Sequence, residues 1–190
     1  MKILNKVLSL IGILLLAVAL SSCSGSKRRL AAELTPITNP VNLQKVWAVS
    51  IGKSLEYNFK PLLINNAIYT ASSSGEVYKF NSLNGQSIWL TNVKEPISAG
   101  PGSDGKLIAV ASLKGNVYAI DSESGKPIWD ANVGTEILSE PLVVAGLVVV
   151  RTVDNRFIAL DASSGKRKWV NQRGQSTLSL RASYGMTSIN

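Results

Sequence analysis

The chain has 190 residues, a formal net charge of +8, one cysteine and no histidine. A single cysteine excludes a disulfide framework, and the lack of histidine removes the commonest general base and a common zinc ligand. The basic residues are scattered rather than gathered into one stripe, which argues against nucleic acid as a partner.

Residues 1–22 read as a signal peptide. Lys2 and Lys6 supply a basic start, and Val7 to Leu20 is an apolar run broken only by Ser9 and Gly12. That run is short of the roughly 20 residues a membrane span needs, and fits a secretory signal. It ends in Leu20-Ser21-Ser22-Cys23, which resembles the bacterial lipobox. Cys23 is therefore the expected lipidation site, and this accounts for the sole cysteine of a secreted chain. Without Lys2 and Lys6 the remainder carries +6. Ser24 follows the cysteine, which by resemblance to bacterial sorting signals favours the outer membrane. Residues 23–43 are polar and aperiodic, with Lys27-Arg28-Arg29 next to the anchor, and read as a tether.

Residues 44–190 carry a repeat. Trp89, Trp129 and Trp169 stand 40 residues apart, and Trp47 lies 42 before the first of them. Pro61, Pro101 and Pro141 recur at the same 40-residue step, as do Gly85, Gly125 and Gly165. A fixed period of about 40 residues marks one supersecondary unit that buries its faces against the next. We place the units at about 50–89, 90–129 and 130–169, with the start of a fourth at 170–190.

Within the second unit, Leu107–Ala111 is a short apolar run that predicts a strand buried on both faces. Lys114-Gly115 predicts a tight hairpin, Val117–Ile120 the return strand, Asp121–Gly125 a turn with an Asx cap, and Lys126–Trp129 an outer strand. The first and third units follow the same plan, with Asn155 in place of glycine at the third hairpin. Short strands at this spacing predict an all-β fold, and four strands per period predict a β-propeller blade. The recurring tryptophan is expected to pack on the next blade rather than stack on a ligand, since every unit carries one.

Ala119-Ile120-Asp121, Gly125 and Trp129, repeated at Ala159, Asp161, Gly165 and Trp169, resemble the pyrroloquinoline-quinone-type (PQQ-like) propeller repeat. In the first unit Lys79 and Asn81 replace the alanine and aspartate. With the lipobox and tether, the chain resembles the BamB family, outer-membrane lipoproteins of the β-barrel assembly machinery (BAM complex). The resemblance implies an eight-bladed propeller without catalysis and without a cofactor. It implies docking on the periplasmic domains of the barrel-forming subunit BamA and assistance to unfolded outer-membrane proteins. On this reading the chain holds three to four of eight expected blades and is a piece of a longer protein.

Thr177-Leu178-Ser179-Leu180-Arg181 resembles the family's contact loop, so Leu178, Leu180 and Arg181 are the expected partner-binding residues. On the residues alone, the alternation reads more simply as an inner strand with buried leucines. The alternative function is a fragment of a PQQ-dependent quinoprotein dehydrogenase. It would need a quinone, a calcium ion and an acid/base carboxylate, and Asp121, Asp154 and Asp161 read better as turn residues.

Overall fold

The computed structural model describes residues 43–57, 59–172 and 185–188. Every described strand lies in the unit Gln44–Asn190. Cys23 and the Leu178–Arg181 segment lie outside the described residues.

Among the described residues, twelve strands form three four-stranded antiparallel sheets, each a meander in chain order. The first sheet holds β1 (Leu62–Ile64), β2 (Ala67–Ala71), β3 (Glu76–Asn81) and β4 (Ser87–Asn92). The second holds β5 (Ala99–Ser103), β6 (Leu107–Ala111), β7 (Asn116–Asp121) and β8 (Pro127–Asn132). The third holds β9 (Leu142–Val144), β10 (Leu147–Arg151), β11 (Arg156–Asp161) and β12 (Arg167–Gln172). No helix occurs among the described residues. These are three blades of a β-propeller, as the repeat predicts.

The middle blade shows why the blades need one another. All five residues of β6 are buried, and their alternation sorts them by neighbour. Ile108, Val110 and Ile120 join Tyr69, Val77 and Ile97 in a cluster shared with the first blade. Leu107, Ala109, Ala111, Val117 and Ala119 join Val148, Val150, Ile158 and Leu160 in a cluster shared with the third. A sheet buried on both faces must be apolar at every position, which is why Leu107–Ala111 does not alternate with polar residues. The inner strands leave even less room: a Cβ on Gly102 would stand 1.7 Å from the carbonyl oxygen of Pro141.

The outer strands run three residues past each tryptophan, further than the sequence units place them. Asn92 and Asn132 end β4 and β8, because their Oδ1 atoms accept the N–H of Lys94 at 2.7 Å and of Gly134 at 2.8 Å. This Asx turn takes a donor that the ladder would otherwise use. The expected Asx cap is also present: Asp121 Oδ1 accepts the N–H of Ser124 at 2.7 Å. Asn81 repeats the device in the first blade by accepting the N–H of Leu83 at 2.9 Å. The substitution of Asn for Asp there leaves the turn intact.

Each described tryptophan with a following blade docks on that blade in one way. The indole Nε1 of Trp47 donates to the carbonyl of Ser82 at 3.0 Å, Trp89 to Ser122 at 3.1 Å and Trp129 to Ala162 at 2.8 Å. Beneath each ring lies the turn glycine, Gly85, Gly125 or Gly165, with φ of 71°, 70° and 69°. A Cβ on any of the three would fall 2.6–2.7 Å from the indole. Glycine is required twice over here, for the left-handed backbone and for the approach of the ring. Trp169 on β12 is 41% exposed, and the chain directly after Gln172 lies outside the described residues.

Two substitutions separate these requirements. Gly146 also has positive φ (76°), but none of the described residues lies within 4 Å of its Cβ position. Gly146→Ala is expected to cost only the backbone term, about 1 kcal/mol. Gly165→Ala should cost about 3 kcal/mol, because the Trp129 ring must also move. Urea denaturation midpoints of the two variants give the comparison, and equal losses would refute the seating of the ring on Gly165.

Candidate functional surface

The blades present two ends. The β1–β2 and β3–β4 type turns lie at one end, with the docked tryptophans. The β2–β3 type hairpins lie at the other, together with the connections that cross from blade to blade.

The tryptophan end holds a feature that the repeat pattern does not predict. Lys79 stands where the other blades have Ala119 and Ala159, and it is buried, with 6% of its surface exposed. Its Nζ donates to the Ser122 carbonyl at 2.9 Å, the same oxygen that accepts from Trp89. The Tyr69 hydroxyl donates there too, at 3.4 Å, and the ammonium lies 5.6 Å from the Tyr69 ring centroid. Glu123 approaches Nζ at 3.4 Å, but that carboxylate is 85% exposed, so the pair adds little. The departure from the consensus therefore fastens the first blade to the second. A lysine at an alanine position was the available signal, and its direction became visible only once the neighbouring turn was placed.

At the hairpin end each blade contributes one structured carboxylate. Glu76 Oε2 accepts from Ser72 Oγ at 2.9 Å, Tyr78 OH at 3.0 Å and Ser74 Oγ at 3.1 Å. Those bonds hold its carboxyl below the ordinary value of 4.5. Asp154 pairs with Arg156 Nε at 2.7 Å and accepts from Thr152 Oγ1. Burial raises its pKa, but the Thr152 bond and the Arg156 charge outweigh that and bring it below the usual range.

The second blade draws its carboxylate from the connection before it. Glu95 Oε2 accepts from Tyr118 OH at 2.7 Å and Asn116 Nδ2 at 2.8 Å. Burial pushes the Glu95 carboxyl up, yet Tyr118, Ser112, Asn116 and the Lys114 charge together bring it below 4.5. Burial and the same carboxylate push the Tyr118 hydroxyl up to about 12. Glu95 Oε1 is buried without a hydrogen-bond partner among the described residues, beside a largely apolar cavity of about 250 Å³ lined by Tyr57, Pro96, Ile97 and Leu113. These polar sets escape a motif search because Glu76, Asn116 and Arg156 occupy one repeat position with three different side chains.

The inner strands converge on a second cavity of about 300 Å³, bordered by Pro61, Pro101 and Pro141 with Lys60 and Glu140. No cluster of three or more His, Cys, Asp or Glu that could hold a metal occurs among the described residues. Asp121, Asp154 and Asp161 each bond within their own turn or hairpin. The expected contact residues Leu178, Leu180 and Arg181 lie outside the described residues; one period earlier in the sequence, Leu138, Glu140 and Pro141 stand on the connection into β9.

A folded-state pKa held below the unfolded value gives stability that is present above the unfolded value and lost as pH falls through the folded one. Glu95→Gln should therefore be less stable than the parent at neutral pH. The difference should close as pH is lowered from about 5 to about 3. Thermal melts across that window provide the check, and a pH-independent difference would contradict the ionised, bonded state of Glu95.

Residues 73–187 match the family model described as outer membrane protein assembly factor BamB. The chain is 39% identical over 92 residues to the BamB of Burkholderia pseudomallei strain K96243, covering 47% of this chain and 24% of that protein. It is 36% identical over 97 residues to the BamB of Bordetella pertussis, covering 49% of this chain and 25% of that one. These matches span about a quarter of the length of the curated relatives. Among solved structures, BamB from Moraxella catarrhalis superposes with a TM-score of 0.59 at 24% identity, over 66% of this chain and 38% of that one. A quinohemoprotein alcohol dehydrogenase from Pseudomonas putida HK5 superposes with a TM-score of 0.53 at 21% identity, over 64% of this chain and 21% of that one. Both likenesses show the fold alone. With more than half of its length inside the family match, the chain belongs to the BamB family of outer membrane protein assembly factors.

Proposed function

We propose that this protein is a non-catalytic scaffold lipoprotein of the outer-membrane β-barrel assembly machinery. It binds the periplasmic domains of BamA and assists the folding and insertion of outer-membrane proteins. One observation carries the reading: the family match over residues 73–187, laid on blades in which Glu76, Glu95 and Asp121 bond to nearby side chains and turns. Such blades form a rigid platform whose work is done by its surface.

In this reading Cys23 carries the lipid that holds the chain at the periplasmic face of the outer membrane, and residues 23–43 are the tether. More than one acyl chain is needed for stable anchoring, since a single chain binds reversibly. Leu178, Leu180 and Arg181 form the contact with BamA. Two apolar anchors beside an arginine suit the desolvated centre of a protein interface.

Arg181→Glu should abolish co-purification with BamA from solubilised envelopes while the circular dichroism spectrum stays unchanged. Retention of normal co-purification would remove that residue from the interface. Cys23→Ala should move the protein from the membrane fraction to the soluble periplasm, and a variant that still sediments with membranes would refute the lipid anchor.

A further inference from the structure

The three outer strands occupy equivalent places but do not carry equivalent edges. Among the described residues, β4, β8 and β12 are each the last strand of their sheet. An unpaired edge offers a row of free N–H and C=O groups to any extended chain, and proteins blunt such edges with charge or proline. β8 carries Pro127 and Asp130, and β12 carries Arg167 and Lys168. β4 reads Ser87-Ile88-Trp89-Leu90-Thr91-Asn92, with neither proline nor charge. Leu90 stands where β8 has Asp130, and Ser87 where β8 has Pro127.

The β4 surface is apolar as well as unguarded. Ile88 is 51% and Leu90 54% exposed, while Trp89 between them turns toward the second blade. A preceding blade does not cover such a face: Ile128, the equivalent of Ile88, is 46% exposed although the first blade packs in front of it. Each blade has the same bulge opposite the start of its outer strand, at Lys79/Phe80, Ala119/Ile120 and Ala159/Leu160. The bulge therefore does not distinguish β4, whereas the side chains do.

We infer that the β4 edge is a docking strand for an extended segment with alternating apolar residues, of the kind that forms a membrane-spanning β-strand. The segment adds as a fifth strand through main-chain hydrogen bonds, and its apolar residues meet Ile88 and Leu90 across the pair. Transmembrane strands are such segments, with apolar side chains at every second position. The inference rests on the proposed role in barrel assembly and names the place on this chain where a client strand is held.

The test uses the whole chain and a labelled ten-residue peptide of alternating apolar and polar residues, with a peptide of the same composition in two blocks as control. Fluorescence anisotropy should show preference for the alternating peptide. Leu90→Lys combined with Ser87→Pro should weaken binding about tenfold or more, a change of about 1.4 kcal/mol. The variant should keep its circular dichroism spectrum, since β8 tolerates proline at the same register. Pro127→Ser with Asp130→Leu should open a second edge and raise the stoichiometry. Equal binding of the two peptides would overturn the inference, as would undiminished binding by the Leu90→Lys, Ser87→Pro variant. A dimer in sedimentation velocity that Leu90→Lys dissolves would also overturn it, because β4 would then be paired with a second copy. If the unaltered protein fails to co-purify with BamA yet still prefers the alternating peptide, the assembly reading falls and the edge stands.

Discussion

The fold depends on one repeated contact, an indole laid on a glycine turn. In each instance the ring fills the space that a Cβ would take, and its N–H caps a carbonyl of the same turn. At Trp89 and Trp129 the contact joins the outer strand of one blade to the turn that precedes the outer strand of the next. It therefore fixes blade-to-blade spacing at the rim, while the apolar clusters fix it deeper in. A single blade has nothing to offer its own tryptophan, so neither the ring nor the both-sided burial of β6 makes sense in isolation.

That constraint shapes where function can reside. Apart from Lys79, the buried strand positions that meet a neighbouring blade are mostly small or apolar, and the turns favour glycine and asparagine or aspartate. Freedom remains at the hairpin end, along the outer strands and on the connections between blades. The hairpin-end carboxylates use that freedom structurally, since each is bonded within reach of its own blade. The outer strands use it unevenly: charge or proline protects two, and β4 has neither. A rigid array with variable edges and loops suits a protein that positions other chains.

Lys79 shows how a departure from the repeat can strengthen it. Against the consensus, the copy that holds Lys79 and Asn81 looks degenerate. In the folded chain the lysine reaches the carbonyl already used by Trp89, and the asparagine makes the same turn that aspartate makes elsewhere. A consensus records which residues recur, and takes no account of a side chain long enough to cross into the adjacent blade.

The sequence by itself determined the four-stranded unit, its turns and the docking of its tryptophans. These follow from local rules: alternation, positive φ at Gly115 and Asn155, Asx capping at Asp121, and a period that repeats them. It also offered Cys23 as the expected anchor and, through family resemblance, Leu178, Leu180 and Arg181 as expected contact residues, all outside the described residues. Only the tertiary structure decided which carboxylate serves which blade, since Glu95 reaches Tyr118 from 23 residues away. The structure alone also buried Lys79 and left Ile88 and Leu90 exposed on an unguarded edge. The reason is physical: local patterns specify how a strand or turn is made, whereas burial, charge pairing and edge exposure depend on what the neighbouring blade places opposite.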